Sequence, residues 1–230
     1  MKSLDLALKP PFDTTVAEVL SECALQTPTR VLFDFESFSF TVEQIFKAAS
    51  EIRGKLLSEG MENGQTIATC METSPQYIKL IFALFLIGVK WVPIDPKSRG
   101  PSLEHTIKTS QPNLIFGNKS SLKYVRKLRF GCKIIELESW QTKASGALVD
   151  LSYEEKSSDN HSLIVFTSGT SGPPKGVIVT DRMILASAAG TALASDCICD
   201  DNFLFWEPLH HISGVQALIM ALVYGAKLTL

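Results

Sequence analysis

Hydrophobic residues recur at helical spacing in some segments of the chain and in short continuous runs in others. Thr41, with Gln44 three residues later, forms a capping box, and the apolar stripe that follows ends at Gly60. Ser74 and Pro75 begin a second helix, which is apolar on nearly every side and should be buried. The same criteria predict further helices over residues 102–109, 121–128, 181–194 and 213–223.

Short β-branched, apolar runs bounded by turn residues predict the strands. These runs are residues 66–71, 90–94, 113–116, 133–137, 163–166, 176–179, 203–206 and 227–230. Strands that alternate with helices are typical of βαβ units. The pattern therefore predicts an α/β fold of mostly parallel sheets with helices on both faces.

The domain organisation follows from the absence of repeats and low-complexity tracts in the sequence. Residues 1–230 are predicted to belong to one unit, with a polar surface connection over residues 138–160. The last strand, residues 227–230, is apolar and should need a further element to cover it. We therefore expect a truncated domain in which the helix over residues 213–223 is partly uncovered. Such a chain should self-associate or require a complementing chain.

Composition and charge narrow the class of protein. The chain is 45% hydrophobic and 20% charged, as in ordinary globular proteins. Its net charge of −2 gives no electrostatic reason to expect nucleic-acid binding. The amino terminus lacks the apolar core of a signal peptide, and the longest apolar runs are shorter than the ~18 residues that cross a bilayer. These features predict a cytoplasmic protein without a membrane span.

The five cysteines are odd in number and match no zinc or redox spacing, so they are expected to be free thiols. Cys197 and Cys199 lie near several aspartates, but a metal site would need more ligands at defined spacing. No metal site is predicted.

Residues 163–180, LIVFTSGTSGPPKGVIVT, form the segment with the clearest chemistry. Two strands, both expected to be buried, flank a turn that is rich in hydroxyls and glycines and contains one lysine. The candidate ligand-binding residues are Thr167, Ser168, Gly169, Thr170, Ser171, Gly172, Lys175 and Gly176. Backbone amides, hydroxyls and an ammonium group that converge on one loop favour an anion, such as the phosphates of a nucleotide.

Three other interpretations of this segment are a Walker loop, a serine-hydrolase elbow and a hairpin without a ligand. A Walker loop would need Gly-Lys-Ser/Thr after four intervening residues, and the segment contains no Gly-Lys pair. A serine-hydrolase elbow would need Gly-x-Ser-x-Gly, but Ser171 is followed directly by Gly172. A glycine-rich hairpin without a ligand remains the alternative to a phosphate site.

The segment resembles the phosphate-loop signature of adenylate-forming enzymes, the superfamily of acyl-CoA synthetases, peptide-synthetase adenylation domains and luciferases. The family pattern is Thr-Ser-Gly-Thr/Ser-Thr/Ser-Gly-x-Pro-Lys-Gly, and residues 167–176 match it with Pro173 at the free position. Residues 38–68 resemble the opening strand, helix and strand of that family. Gly88, Val92, Pro93, Asp95 and Pro96 resemble a second family motif.

A third motif, Pro-Leu-x-His-x-x-Gly, is matched by Pro208, Leu209, His211 and Gly214. In the family this histidine lies beside the acyl pocket and the adenylate, so the resemblance implies the same role for His211. Adjacent residues on an extended segment face opposite ways, so His210 and His211 are not expected to share a ligand. One of them should be a hydrogen-bonded surface or interface residue.

The resemblance implies ATP-dependent adenylation of a carboxylic acid, followed by transfer to a thiol of CoA or of a carrier protein. ATP, AMP and Mg²⁺ are the implied ligands. The family's magnesium-binding carboxylate, adenine-stacking aromatic residue and lid lysine have no counterpart in residues 1–230. By resemblance this is the amino-terminal part of the large domain, and the chain alone is expected to be inactive. A catalytically inactive remnant that binds nucleotide weakly is the second hypothesis.

The acid itself is not predicted, and fatty, aryl and amino acids remain open. Ile212 and Val215, close to His211 in sequence, favour an acyl or aryl group over an amino acid.

Overall fold

The computed structural model describes residues 12–140, 157–167 and 172–230, and within these residues seven α-helices alternate with ten β-strands. The helices are α1 (Val16–Gln26), α2 (Val42–Ser58), α3 (Pro75–Ile87), α4 (Gly100–Ser110), α5 (Lys119–Lys127), α6 (Asp181–Ala194) and α7 (Ile212–Tyr224). The strands are β1 (Val31–Phe35), β2 (Phe38–Thr41), β3 (Thr66–Cys70), β4 (Lys90–Pro93), β5 (Leu114–Gly117), β6 (Lys133–Glu136), β7 (His161–Thr167), β8 (Lys175–Thr180), β9 (Asn202–Leu204) and β10 (Lys227–Thr229).

Every helix and strand predicted from the sequence overlaps an observed one. The capping box at Thr41 is present, and Gly88 ends α3 in the left-handed conformation. The hydrophobic pattern did not reveal α1 or β1. A signal for α1 exists, because Thr15 and Glu18 form a second capping box at its first turn.

The larger sheet has six strands in the order β6-β5-β3-β4-β7-β8, and all adjacent pairs are parallel except β7 and β8. Side chains alternate between its two faces. On one face Ala68, Val92 and Ile115 pack against apolar residues of α4 and α5. On the other face Ile67, Trp91 and Leu114 belong to the main core, which also contains residues of α1, α2, α3, α6 and α7. The predicted α/β architecture with helices on both faces is confirmed.

A second sheet has four strands in the order β2-β1-β10-β9. Strand β10 lies between β1 and β9 and is parallel to both, with Phe33 paired to Leu228. The Nζ atom of Lys227 lies 2.6 Å from a carboxylate oxygen of Asp34, which joins β10 to β1 by an ion pair. Phe33 and Leu228 both extend into the main core, so the helices of this core lie between the two sheets.

The expectation that α7 would be partly uncovered is wrong. Its apolar stripe is fully buried within the described chain, at Val215, Leu218, Ile219 and Leu222. Contacts with α1 and α6 and the central position of β10 supply the cover. At the carboxyl end of the helix, the Arg30 guanidinium donates hydrogen bonds to the carbonyl oxygens of Ala221 at 3.1 Å and Leu222 at 2.6 Å.

The expectation that both strands of the glycine-rich hairpin are buried is half wrong. In strand β7 Ser162 and Leu163 are buried, residues 164–166 are half-buried, and the two end residues are exposed. Strand β8 forms the outer edge of the six-stranded sheet, where Val177 and Ile178 are 47% and 46% exposed. Among the described residues no further strand pairs with it. None of the helices in the described part of the chain has the length and hydropathy needed to cross a bilayer.

Candidate functional site

A cleft of about 1010 Å³ opens at the carboxyl ends of the parallel neighbours β4 and β7. Open α/β sheets bind ligands in this position, because loops after the strands diverge there and leave a crevice. Three segments line the cleft: the loop after β4 with the start of α4, the end of β7 with Gly172 and Pro174, and the turn before α7.

The glycine-rich hairpin forms one wall of this cleft. Thr167, at the end of β7, and Gly172 are lining residues, whereas residues 168–171 lie outside the described residues. Thr167 pairs with Lys175 across the hairpin, and its Oγ1 donates a hydrogen bond to the Lys175 carbonyl at 3.4 Å. The Lys175 side chain is exposed at the start of β8, beside the cleft and not among its lining residues.

Gly176 leaves room for an aromatic ring that lines the cleft. A Cβ atom at this position would lie 3.2 Å from the ring of Phe166 and 3.2 Å from the Ile164 side chain. Phe166 lines the cleft from β7. The glycine therefore fixes how closely the returning strand approaches the wall of the cleft.

The two histidines lie in a turn that leads into α7, and their side chains meet at the cleft, which corrects the prediction that they face opposite ways. The His211 amide donates to the Pro208 carbonyl at 3.0 Å, and the two imidazole rings lie with centroids 4.4 Å apart. Both histidines line the cleft. Gly214 permits the turn to pack on α7, since a Cβ atom there would lie 2.5 Å from the Pro208 carbonyl oxygen.

His210 faces an acidic group across the cleft. Its Nε2 lies 3.8 Å from a carboxylate oxygen of Asp95, whose side chain also accepts a hydrogen bond from the Lys97 amide at 2.7 Å. Burial lowers the pKa of His210 below its ordinary value, and the attraction of Asp95 opposes this change only in part. The imidazole is therefore held towards its neutral form, in which one ring nitrogen can accept a hydrogen bond.

Two helix amino termini point into the cleft without a side-chain cap. Arg99 and His211 are the N-cap residues of α4 and α7, and neither side chain accepts a bond from the first turn. Neither first turn contains an acidic residue. The free amides and the positive ends of both helix dipoles favour an anion in this space.

Arg99 adds a permanent positive charge at the same place. Its guanidinium stacks on the ring of Tyr124 at 3.6 Å and donates to the Pro96 and Ser98 carbonyls at 2.7 Å. The same guanidinium lowers the pKa of the Tyr124 hydroxyl. These contacts hold the charge at the rim of the cleft.

The described residues offer no resident metal site. No group of three or more His, Cys, Asp or Glu side chains converges within residues 12–140, 157–167 and 172–230. All five cysteines are free thiols, as expected, and Cys197 and Cys199 have no such group around them. The donor set of this part of the chain therefore assigns no residue to Mg²⁺.

Of the site residues predicted from the sequence, Thr167, Gly172 and His211 line the cleft. Arg99, Glu207 and His210 also line it, but the sequence analysis did not predict them as site residues. The missed residues come from segments that only the strand order brings together. One signal was available for Arg99, because Gly100 and Pro101 after it mark the start of a helix whose amino terminus could face a ligand.

Comparisons with known proteins match most of the chain. The model of the family described as "AMP-binding enzyme" matches residues 20–230. The 2-succinylbenzoate–CoA ligase of Bacillus licheniformis is 30% identical over 213 residues, which cover 92% of this chain and 44% of that relative. The chain thus spans less than half the length of this relative.

Two solved structures are similar to the fold. The O-succinylbenzoate coenzyme A synthetase of Bacillus subtilis in complex with AMP has a TM-score of 0.82 at 25% identity, covering 92% of this chain and 54% of that one. VinN in complex with 3-methylaspartate has a TM-score of 0.84 at 18% identity, covering 95% of this chain and 62% of that one. The second likeness concerns the fold alone.

Proposed function

Because the chain belongs to the AMP-binding enzyme family, we propose that its cleft holds the phosphates of ATP during activation of a carboxylic acid. One observation carries this proposal: the hairpin with the phosphate-loop pattern meets two uncapped helix amino termini and Arg99 at a single cleft. All of these features favour bound negative charge, and a triphosphate supplies it.

The proposed reaction has two steps. The carboxylate of the substrate attacks the α-phosphorus of ATP, which forms an acyl-adenylate and releases pyrophosphate. The sulfur of a thiol then attacks the acyl carbon, which forms a thioester and releases AMP. Charge spread over phosphoryl oxygens in the first step is stabilised chiefly by fixed hydrogen-bond donors and positive groups.

The residues of the hairpin receive roles in this scheme. We propose that their amides and hydroxyls surround the β- and γ-phosphates, with Lys175 as the positive charge and Gly176 fixing the strand behind it. The phosphate-binding set is Thr167, Ser168, Gly169, Thr170, Ser171, Gly172 and Lys175. His211, exposed at the opposite wall, is proposed to lie beside the acyl group and the adenylate.

CoA is the proposed thiol, since the relative from Bacillus licheniformis is named a CoA ligase. An acyl or aryl carboxylic acid is the proposed substrate class, because Ile212 contributes an apolar surface to the cleft beside His211. Mg²⁺ would accompany ATP as its substrate complex, and none of the residues that the structure describes is assigned to it.

The short span of the chain relative to its relatives supports a second proposal. The match covers 44% of the length of the relative from Bacillus licheniformis. On this proposal the chain supplies the phosphate-binding part of the site, and other polypeptide supplies the remaining groups that the reaction needs. On this proposal the 230-residue chain binds ATP weakly and shows no carboxylate-dependent pyrophosphate release by itself.

The test is ATP binding by the purified chain, measured by calorimetry for the wild type, Lys175→Ala and Lys47→Ala. Lys47 is an exposed lysine on α2, so it controls for the loss of one positive charge. Loss of a charged hydrogen bond to phosphate should raise the Kd for ATP about tenfold or more in Lys175→Ala. Lys47→Ala should bind as the wild type does.

The outcomes separate the two proposals. Absence of ATP binding by the wild type, or equal affinity in Lys175→Ala, would contradict the phosphate site. Pyrophosphate release that depends on an added carboxylic acid would contradict the second proposal and leave the first intact.

A further inference from the structure

A histidine outside the glycine-rich motif contacts its returning arm. His105 lies on α4, and its Nε2 is 2.8 Å from the carbonyl oxygen of Pro174, the residue before Lys175. We propose that His105 is a positioning residue that fixes the arm carrying Lys175 and so prepares the hairpin for an anionic ligand. The link to nucleotide affinity rests on the proposed function; the restraint on the arm does not.

The chemistry of the contact determines its direction. A carbonyl oxygen can only accept a hydrogen bond, so Nε2 of His105 must carry a proton and donate it. The Thr109 hydroxyl lies 3.5 Å from the same nitrogen, one helical turn further along α4. His105 is partly buried, which protects the bond from competition with water.

The arm offers few other points of attachment. Pro173 and Pro174 have no amide hydrogen, so their carbonyl oxygens are the backbone groups available for hydrogen bonds. Their fixed φ angles also limit the conformations of the arm. The bond from His105 then fixes Pro174 on one side of Lys175, and the pairing of Thr167 with Lys175 holds the other.

A restrained arm changes the cost of binding. A loop that is ordered before its ligand arrives loses less conformational entropy when the ligand binds. Loss of one hydrogen bond of ordinary strength should weaken ATP binding about three- to tenfold. The Lys175 side chain itself is unchanged, so the effect should be smaller than that of Lys175→Ala.

The experiment compares four versions of the 230-residue chain: the wild type, His105→Ala, His105→Gln and Glu104→Ala. The amide nitrogen of glutamine can donate from nearly the same place as Nε2, so His105→Gln is the rescue variant. Glu104 lies beside His105 on α4 and pairs with Lys108 on the surface, so Glu104→Ala is the matched control. Hydrogen exchange at the amides of Lys175 and Gly176 without nucleotide is measured first, and ATP affinity second.

We expect faster exchange at both amides and weaker ATP binding in His105→Ala, with near wild-type values in His105→Gln and Glu104→Ala. Unchanged exchange in His105→Ala, or the same increase in His105→Gln, would overturn the role of His105. If exchange responds as expected but the wild type does not bind ATP, the positioning role stands and the proposed function fails. If His105→Ala unfolds while His105→Gln behaves as the wild type, the donor at this position is still required.

Discussion

The helix amino termini in the body of the fold differ from those at the cleft. Thr15, Thr41, Ser74 and Thr180 each accept a hydrogen bond from the first turn of their helix, whereas the N-cap residues of α4 and α7 do not. An acidic residue also lies in the first turn of α1, α2 and α6. The amides that a fold normally satisfies internally are thus left available where the cleft opens.

Helix α5 shows that a missing cap alone does not mark a site. The Asn118 side chain does not cap α5 because it accepts from the Glu72 amide and donates to Glu138. At α4 and α7 the uncapped ends face a shared cavity together with a cation. The distinguishing feature of the cleft is therefore the convergence of two uncapped helix amino termini with the Arg99 guanidinium.

The largest expected effect concerns the body of α7, which is fully buried although its amino terminus faces the cleft. Leu218→Ala removes a side chain without exposed surface and should lower the free energy of unfolding by about 2–5 kcal/mol. Leu204→Ala, at a side chain that is 74% exposed, is the control and should change it by less than about 0.5 kcal/mol. Urea denaturation measures both, and equal effects would mean that α7 lacks its cover in solution.

An intermediate change in stability should come from removing the cap of one helix and adding a cap to another. Thr41→Ala removes a cap and should cost about 0.5–2 kcal/mol of stability. His211→Ser adds one at an N-cap residue with suitable extended angles, φ −101° and ψ 148°, and should stabilise the fold by a similar amount. The same variant should bind ATP more weakly, because the serine oxygen occupies an amide that otherwise faces the ligand.

Denaturation and ATP titration of both variants test this comparison. A His211→Ser chain that gains stability without losing affinity would show that the free amides of α7 do not serve the ligand.

The smallest effect is a pH dependence from His210. Its pKa is lowered in the folded protein, so between the folded value and the ordinary value of 6.5 the unfolded chain binds more protons. The free energy of unfolding is therefore highest above pH 6.5, where His210 is neutral in both states. It decreases as the pH falls from 6.5 towards the pKa of His210 in the folded protein. Lys97 and His211 lower this pKa as well, while Asp95 raises it.

The check is the difference in unfolding free energy between pH 7.5 and pH 5.5, for the wild type and His210→Gln. The variant should lose less stability on acidification, since glutamine does not titrate. A larger loss in His210→Gln would mean that the attraction of Asp95 outweighs burial.

Local signals in the sequence predicted most of the elements, because caps and hydrophobic periods act over a few residues. They failed where a partner distant in sequence decides the outcome. The cover of α7 depends on β10 and α1, and the exposure of Val177 depends on the edge position of β8. Neither fact is encoded within the segment concerned.

The residues of the candidate site also divide into those that local sequence predicted and those that depend on distant partners. The hairpin was predicted from its own residues, and its phosphate-binding role stays a prediction. The error at His210 and His211 arose from assuming that both residues continue one extended segment, whereas the Pro208 carbonyl closes a turn with the His211 amide. Arg99 lines the cleft and His105 contacts Pro174 only because β4 and β7 are neighbours, which the order of elements along the chain does not state.

The central position of β10 has a consequence for how the chain acquires its fold during synthesis. Strands β1 and β9 are both paired to β10, so the smaller sheet joins residues 31–35 to residues 227–229. The entropic cost of closing a loop rises with its length, although slowly, and contacts between residues so far apart in sequence slow folding. A nascent chain emerging from the ribosome can pair β3, β4 and β5 early, but it must hold β1 without its parallel neighbour until residues 227–229 have been added. During that interval the side of β1 that will receive β10 is an open strand edge, which makes the growing chain more dependent on protection from aggregation than the finished fold.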